Sequence, residues 1–584
     1  MSTPAPPAGP TAADSGSGPG NAGQRDRAPA WGGTNAPVAG DAGPAVANDT
    51  SLVRSSGVMA LGTLASRITG FLRTAVFGYA LGAATLADAY NNANTLPNVV
   101  YNLALGGILT SVVVPLLVSA AKRDADRGQA YDQRMFTLGA IALGGITLVA
   151  TLAAGPLVDL YAASVHGSER SVMVVFAYFF IPQIFFYGVS SLAGAILNAR
   201  GHFAAPMWTP VVNNVVVIGI GLLFMATAGL NLSTATISTG QVQLLGIGTT
   251  LGIVAQTAAL IPALRRVGFR WRPRFDFRRA EVAEIRRMAS WMFGYIATTQ
   301  AAFLVTTRVA NEAAVRAHHL HGSGYTDYSY AWLLFQLPYA IVGISVITAL
   351  LPRMSAHAAD RRYGLVIDDF STGVRLSSVI VVPAAVVLAM LGPPLAEVLL
   401  GYGSMTFADA HYLGEVFAVF SLGLAPYMMF QLLLRVFYAL HDSRTPALIG
   451  AVTMVVNIAA NLFALAVLPP AQVVAGLGAG FGAANLVGAV AGWLVLSRRI
   501  GGLDGRRVGV SLVKMHLSAI PSVIFAAAVS VMIGAVVAAG TLSALITVVL
   551  GGSGALLLYV LFAKALGVTE LTDLSSTVGA RLQR

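Results

Sequence analysis

From Ser51 almost to its end the chain is a succession of apolar runs, each about the 20 residues a helix needs to cross a hydrocarbon core. Fourteen begin near Ser55, Asp88, Phe136, Ser171, Met207, Leu244, Met288, Tyr328, Ser371, Leu413, Ala447, Ala471, Ser518 and Leu542. In lipid each backbone N–H and C=O must be satisfied within its own segment, so runs of this length can only be α-helices. Only 10% of the 584 residues are charged, against about a quarter in a soluble domain. The expectation is an all-α integral membrane protein with fourteen transmembrane helices. The chain has no cysteine, which excludes disulfides and thiolate chemistry.

The net charge of +11 points to membrane orientation and not to nucleic acid, because the arginines gather in alternate loops. KRDADRG and Arg134 follow the second run, and Arg200 the fourth. After the sixth comes RRVGFRWRPRFDFRRAEVAEIRR, then Arg353, Arg361 and Arg362 after the eighth. Arg444 follows the tenth, and Arg498, Arg499, Arg506 and Arg507 the twelfth. The other loops hold little beyond Arg170 and Arg316. This alternation predicts a multi-pass cell-membrane protein with both termini in the cytoplasm. Residues 1–50, rich in Ala, Gly, Pro and Ser, read as a disordered cytoplasmic tail that resembles no cleavable leader.

A repeat divides the rest. LPN at 96–98 and LPY at 337–339 each lie in a span ending in proline-containing text, VVVPLL and ITALLPRMS. ILNARGHFAAP, ending at Pro206, is echoed by VFYALHDSRTP, ending at Pro446. Both pairs recur six spans apart, and an even number of spans per unit makes the repeats parallel. The expected domains are a first lobe at 51–264, a basic amphipathic linker on membrane lipid at 265–287, a second lobe at 288–499, and two further helices at 500–584. The result is two parallel six-helix lobes plus two C-terminal helices, with a cavity between the lobes that opens alternately to each side.

The first two spans point to the cavity's content. Arg67 and Arg73 lie in an otherwise apolar run, where an arginine costs at least roughly 2.5–3.5 kcal/mol and so faces a polar cavity or partner. Six positions apart, they sit about 120° apart around a helix and suit two walls of one cavity. The second span offers Asn91, Asn92, Asn94, Thr95, Asn98 and Asn102. Cations and amides suit a ligand carrying phosphate or sugar; an internal tether between helices is the other reading. Arg308, in the seventh span, is the candidate cation of the second lobe, with Gln336 and Asp327 of the eighth to complement it. Arg375 and Arg435 are expected to snorkel. His318, His319 and His321 share one short loop with no carboxylate cluster beside them, which favours a solvated loop over a metal site. No catalytic motif or nucleotide-binding loop is present, so no enzyme and no cofactor are expected. Transport would draw on a sodium or proton gradient, or on the membrane potential.

SRITGFLR at 66–73, DAY at 88–90, LPN at 96–98, VPLL at 114–117, GAILNARGHFAAP at 194–206, ALLPRMS at 349–355 and FYALHDSRTP at 437–446 together resemble the MurJ (MviN) lipid II flippases of the multidrug/oligosaccharidyl-lipid/polysaccharide exporter superfamily. The resemblance implies a V-shaped pair of lobes with a cationic cavity for the pyrophosphate and sugars of lipid II. It also implies a bacterial envelope setting, with cell-wall synthesis proteins as partners and a groove for the polyprenyl tail on the last two helices. Ser66, Arg67, Arg73, Asp88 and Asn98 match functional positions of that family. Three positions depart: Tyr101 and Gly106 stand where many members carry arginine and glutamate, and Leu333 where they carry arginine. Two other readings remain open: an exporter of a different polyprenyl-linked glycan or of a drug, and a transport-inactive scaffold for envelope synthesis.

Overall fold

The computed structural model describes residues 49–105, 128–276 and 279–571, with a few positions between 113 and 126; side chains are described for 61–103, 128–276 and 296–571 apart from scattered positions. The expected N-terminal tail up to residue 48, Gly106 and residues 277–278 of the basic linker fall outside these residues. The chain divides into two compact units, Met1–Leu52 and Val53–Arg584. The second unit carries the lobes.

It is helical throughout the described residues. The first half runs α1 (Asp49–Leu81), α2 (Thr85–Leu105), α3 (Gln129–Leu152), α4 (Ala154–Tyr161), α5 (Gly167–Phe180), α6 (Gln183–Ala199), α7 (Ala204–Ala228), α8 (Thr239–Ala258) and α9 (Ile261–Arg266). The second half runs α10 (Arg279–Arg316), α11 (Tyr325–Pro338), α12 (Ile344–Ala359), α13 (Tyr363–Leu400), α14 (Phe407–Leu422), α15 (Leu424–Ala439), α16 (Arg444–Val467) and α17 (Val473–Ile500). Three more helices complete it, α18 (Gly505–Val536), α19 (Thr541–Ile546) and α20 (Gly552–Ala565).

Nine described helices are long and apolar enough to cross a membrane, or eleven when two bent pairs each count once. The expected first, second and seventh spans are the helices α1, α2 and α10, which this count does not include. Breaks have local causes. The join of α5 and α6 falls at Pro182, whose ring cannot continue the hydrogen-bond ladder. The α14–α15 pair bends by 45° at Gly423, where a Cβ would lie 3.0 Å from the Cα of Gly482 on α17. Only glycine lets the two backbones approach so closely.

One echo in the sequence is matched by the backbone. After α6, Gly201 is left-handed at φ 75° and His202 N donates to Leu197 O. After α15, His441 is left-handed at φ 59° and Asp442 N donates to Phe437 O. These are equivalent positions of ILNARGHFAAP and VFYALHDSRTP, and both build the same helix-terminating turn. Asp442 goes on to accept from Arg444 N and Thr445 N at the start of α16, and pairs with Arg499. Burial pushes its carboxyl up, but the Thr445 and Arg499 bonds outweigh it and bring the pKa to about 2.

Two large apolar cores result. One is drawn from Phe77–Phe269 and centres on Phe176, Phe180 and Phe224; the other is drawn chiefly from Val309–Val508 and centres on Phe335, Phe417, Phe420 and Phe437. Small cores around Met515, Tyr559 and Leu391 attach α18 and α20 to α13 of the second lobe. The arginine-bearing loops form what we term the basic end, where Arg200 bonds Val267 O and Asp132, and Arg134 reaches Asp276. Hydrogen bonds between the lobes gather at the opposite, far end.

Candidate functional site between the lobes

Helix α1 runs between the two lobes, and its three faces go different ways. Leu61, Leu64, Ile68 and Leu72 form an exposed apolar stripe, as expected of a lipid-facing surface. Gly62 and Gly70 meet Trp208 and Asn214 of the first lobe, and Asn214 Nδ2 donates to Ser66 O at 3.2 Å. Phe71 and Ala75 pack on the second lobe's core, and Gly78 meets Tyr330 and Met405. Arg67 lies one helical turn before Phe71, on that same face. Arg73 is within electrostatic range of the Tyr90 and Tyr187 hydroxyls of one lobe and the Tyr330 hydroxyl of the other. Counted back from Leu81 at the far end, the two guanidinium-bearing residues lie roughly 12 Å and 21 Å deep.

Both arginines are half-buried, and among the described residues no carboxylate lies within 4 Å of either. Three other buried or half-buried arginines behave differently. Arg134 has Asp276, Arg200 has Asp132 and Arg375 has Glu570. Half-buried cations without a partner hold a site for an anion, and the planar guanidinium fork suits a phosphate. Asn94 and Gln336 are half-buried, and Asn98 is exposed with its side chain bonded to Tyr187. Of the positions that depart from the family pattern, Tyr101 donates to Ser191 Oγ at 2.7 Å and lies beside Tyr187, while Leu333 is half-buried on α11.

The remaining expected site residues lie at the far end, which is closed. Asp88 is fully buried there, and its Oδ1 accepts from Thr326 N, at the start of α11, at 2.7 Å. Asn91 donates to Thr326 Oγ1, Asn92 and Asn311 exchange two bonds of 2.9 Å, and Thr95 bonds the Tyr325 hydroxyl. Ser404 N donates to Tyr79 O, and its hydroxyl to Ala80 O. So half of the asparagine face expected to line the cavity instead joins the lobes in this state. Arg308 belongs to the same closure. Its Nε donates to the Leu160 carbonyl at 2.6 Å, and neither Gln336 nor Asp327 is its partner.

Three further expectations change. Arg375 does not snorkel: it is 6% exposed and paired with Glu570. Arg435 is half-buried, bonded to the Tyr339 hydroxyl and lying 5.8 Å from the Tyr438 ring centroid, a second-lobe cation that sequence position alone assigned to the surface. The histidine loop does have carboxylates beside it, because folding brings Glu169 to 3.5 Å from His319 Nε2 and Asp409 to 3.7 Å from His321 Nδ1. Burial, and then the neighbouring His318, push the His319 pKa down.

The sequence matches the protein family described as lipid II flippase MurJ over residues 77–550. That match begins after Arg73, so the two arginines stand outside it. A probable lipid II flippase MurJ from Haemophilus influenzae is 26% identical over 423 residues, covering 69% of this chain and 79% of the relative. Lipid II flippase MurJ from Burkholderia cenocepacia is 26% identical over 430 residues, covering 72% and 79%. Among solved structures, lipid II flippase MurJ in an inward closed conformation superposes with TM-score 0.68 at 17% identity, over 87% of this chain and 98% of that one. An inward-facing multidrug resistance MATE family transporter of the MOP superfamily superposes with TM-score 0.59 at 16% identity, over 75% of this chain and 95% of that one.

Proposed function

This chain belongs to the lipid II flippase MurJ family, and from that premise we propose that it moves lipid II, the undecaprenyl-pyrophosphate-linked peptidoglycan precursor, from the inner to the outer leaflet by alternating access. The observation that carries this reading is the pair of half-buried arginines, Arg67 and Arg73, with no carboxylate within 4 Å among the described residues, between two lobes that are joined at one end. A pyrophosphate supplies the missing negative charge, and Ser66, Asn94, Asn98 and Gln336 offer hydrogen bonds to the sugars. Asp88 and Arg308 are engaged in the far-end closure and would meet the headgroup only once that end opens. A sodium or proton gradient, or the membrane potential, supplies the work. The direct test is to express this chain in a bacterium depleted of its own flippase. Inner-leaflet lipid II should fall to the undepleted level, and persistent accumulation at normal expression would overturn the reading.

The same proposal places the basic end and both termini in the cytoplasm. The parent has no cysteine, so single cysteines report cleanly. A cysteine at Pro273, exposed in the basic linker, should stay unlabelled by an impermeant thiol reagent in intact cells, and one at Ala163 should label. The reverse pattern would invert the topology. Ser323, in a neighbouring far-end loop, is fully buried and would be silent.

Arg308 has its own test. Arg308→Ala should lower complementation, and Arg308→Lys should restore it only in part, since lysine keeps the charge but loses the planar fork. A fully active alanine variant would remove Arg308 from the substrate path.

A further inference from the structure

The far-end closure holds more buried acid than its hydrogen bonds explain. Asp88 on α2 is fully buried, and while its Oδ1 accepts from Thr326, its Oδ2 has no hydrogen-bond partner. Asp327 on α11, also fully buried, has only the backbone N–H groups of Gly324 and of its own residue at its carboxylate, with no ion pair among the described residues, and it is within electrostatic range of Asp88 and Asp409. Glu169 on α5 is 8% exposed and in range of Asp88. The nearest arginine in sequence, Arg170, is taken by Asp159 in a two-bond pair. Uncompensated buried carboxylates are strongly destabilising, so these acids must either hold protons or meet a cation.

The geometry also supplies a ligand set. One oxygen each from Asp88 and Glu169 and a ring nitrogen of His319 lie within 4.8 Å of one another, and His319 Nε2 is 3.5 Å from Glu169 Oε2. Tetrahedral ligands at about 2.0–2.1 Å from a zinc ion are roughly 3.3 Å apart, so modest side-chain movement closes the remaining gap. One imidazole with two carboxylates favours zinc or a similar transition-metal ion over magnesium or calcium, which prefer oxygen ligands alone. Asp88 and Glu169 come from the first lobe, whereas His319 follows α10 of the second. In this closed state the three come together from both lobes.

We propose that Asp88, Glu169 and His319 bind one divalent transition-metal ion, which fastens the lobes together at the outer end. Binding therefore favours the closed state, and opening the outer gate divides the ligand set. The proposal is independent of which lipid-linked substrate the cavity carries.

The probe is zinc alone. Tag-free protein in detergent, stripped with chelator, should take up one zinc ion per chain by calorimetry and show no uptake of magnesium at the same concentration. Glu169→Gln and His319→Gln, which preserve shape, should each weaken zinc binding at least tenfold while remaining monodisperse with unchanged metal-free melting. His321→Asn should leave it unchanged. Absence of saturable binding, or equal affinity in both ligand variants, would overturn the site. To test the fastening, nitroxides at Ala163 and Ala408, both exposed on opposite lobes at this end, would carry the distance measurement, with their thiols capped. Zinc should narrow the distribution to one short population, chelator should broaden it, and Glu169→Gln should abolish the difference. Tight zinc binding with identical distributions would overturn the gating role.

Discussion

Alanine at Arg67 or Arg73 should abolish complementation while protein level and membrane insertion stay normal. Each guanidinium is half-buried and free of carboxylate partners among the described residues, so its removal breaks no ion pair and uncovers no buried acid there. On the proposed function, what is lost is a charge-assisted contact to the substrate phosphate, worth roughly 1.5–3 kcal/mol, or about 10- to 150-fold in occupancy per arginine. Two such contacts act on one pyrophosphate, so the double variant should be no more viable than either single one. Lysine at the same positions should recover part of the activity, since charge is kept and bidentate geometry lost. The measurement is growth of a flippase-depleted strain, paired with immunoblotting of membranes and inner-leaflet lipid II. If both alanine variants support growth at normal expression, the arginines are tethers between helices and the cavity draws its affinity from elsewhere.

Local patterns carried much of the fold. Apolar runs of about 20 residues located helices because, of the backbones a bilayer admits, only a helix satisfies its polar groups within one segment. The echo of ILNARGHFAAP in VFYALHDSRTP located the repeat because both texts end a helix with the same left-handed turn. What stayed hidden were partners distant in sequence. Nothing near His319 suggested Glu169, 150 positions earlier, and the loop therefore read as solvated. Arg308 looked for a polar side chain in the next span and found instead the backbone carbonyl of Leu160, which no side-chain pattern encodes. Asp88 and Asn92 lie on the amide-rich helix, but which of its residues face a cavity and which join the lobes depends on the conformational state. A sequence describes every state at once, whereas the structure shows one, with the far end closed.

Arg375 shows what such a hidden partner is worth. Its run, near a basic loop, suggested a guanidinium reaching to the membrane surface; in the fold it is 6% exposed and clasps Glu570, itself 3% exposed, just after α20. Ser511 on α18 donates to the same Glu570 oxygen at 3.0 Å, so one carboxylate joins α13 of the second lobe to the two C-terminal helices. Burial alone would raise the Glu570 pKa, but its own backbone N–H, Arg375 and Ser511 together hold it below the usual carboxylate range. Because its folded pKa is lowered, the pair's contribution is fully present above the unfolded value of about 4.3 and is lost as pH falls through the folded one. Arg375→Ala leaves that acid buried and unpaired, which should cost about 3–5 kcal/mol and lower the melting midpoint in detergent by several degrees. Arg375→Met combined with Glu570→Leu should recover most of the loss, because an apolar pair of similar volume carries no desolvation penalty. The alanine defect should also shrink in acid, where protonation of Glu570 removes the charge that Arg375 compensates. An alanine variant as stable as the parent at neutral pH would mean that the C-terminal helices are held by their small apolar cores alone.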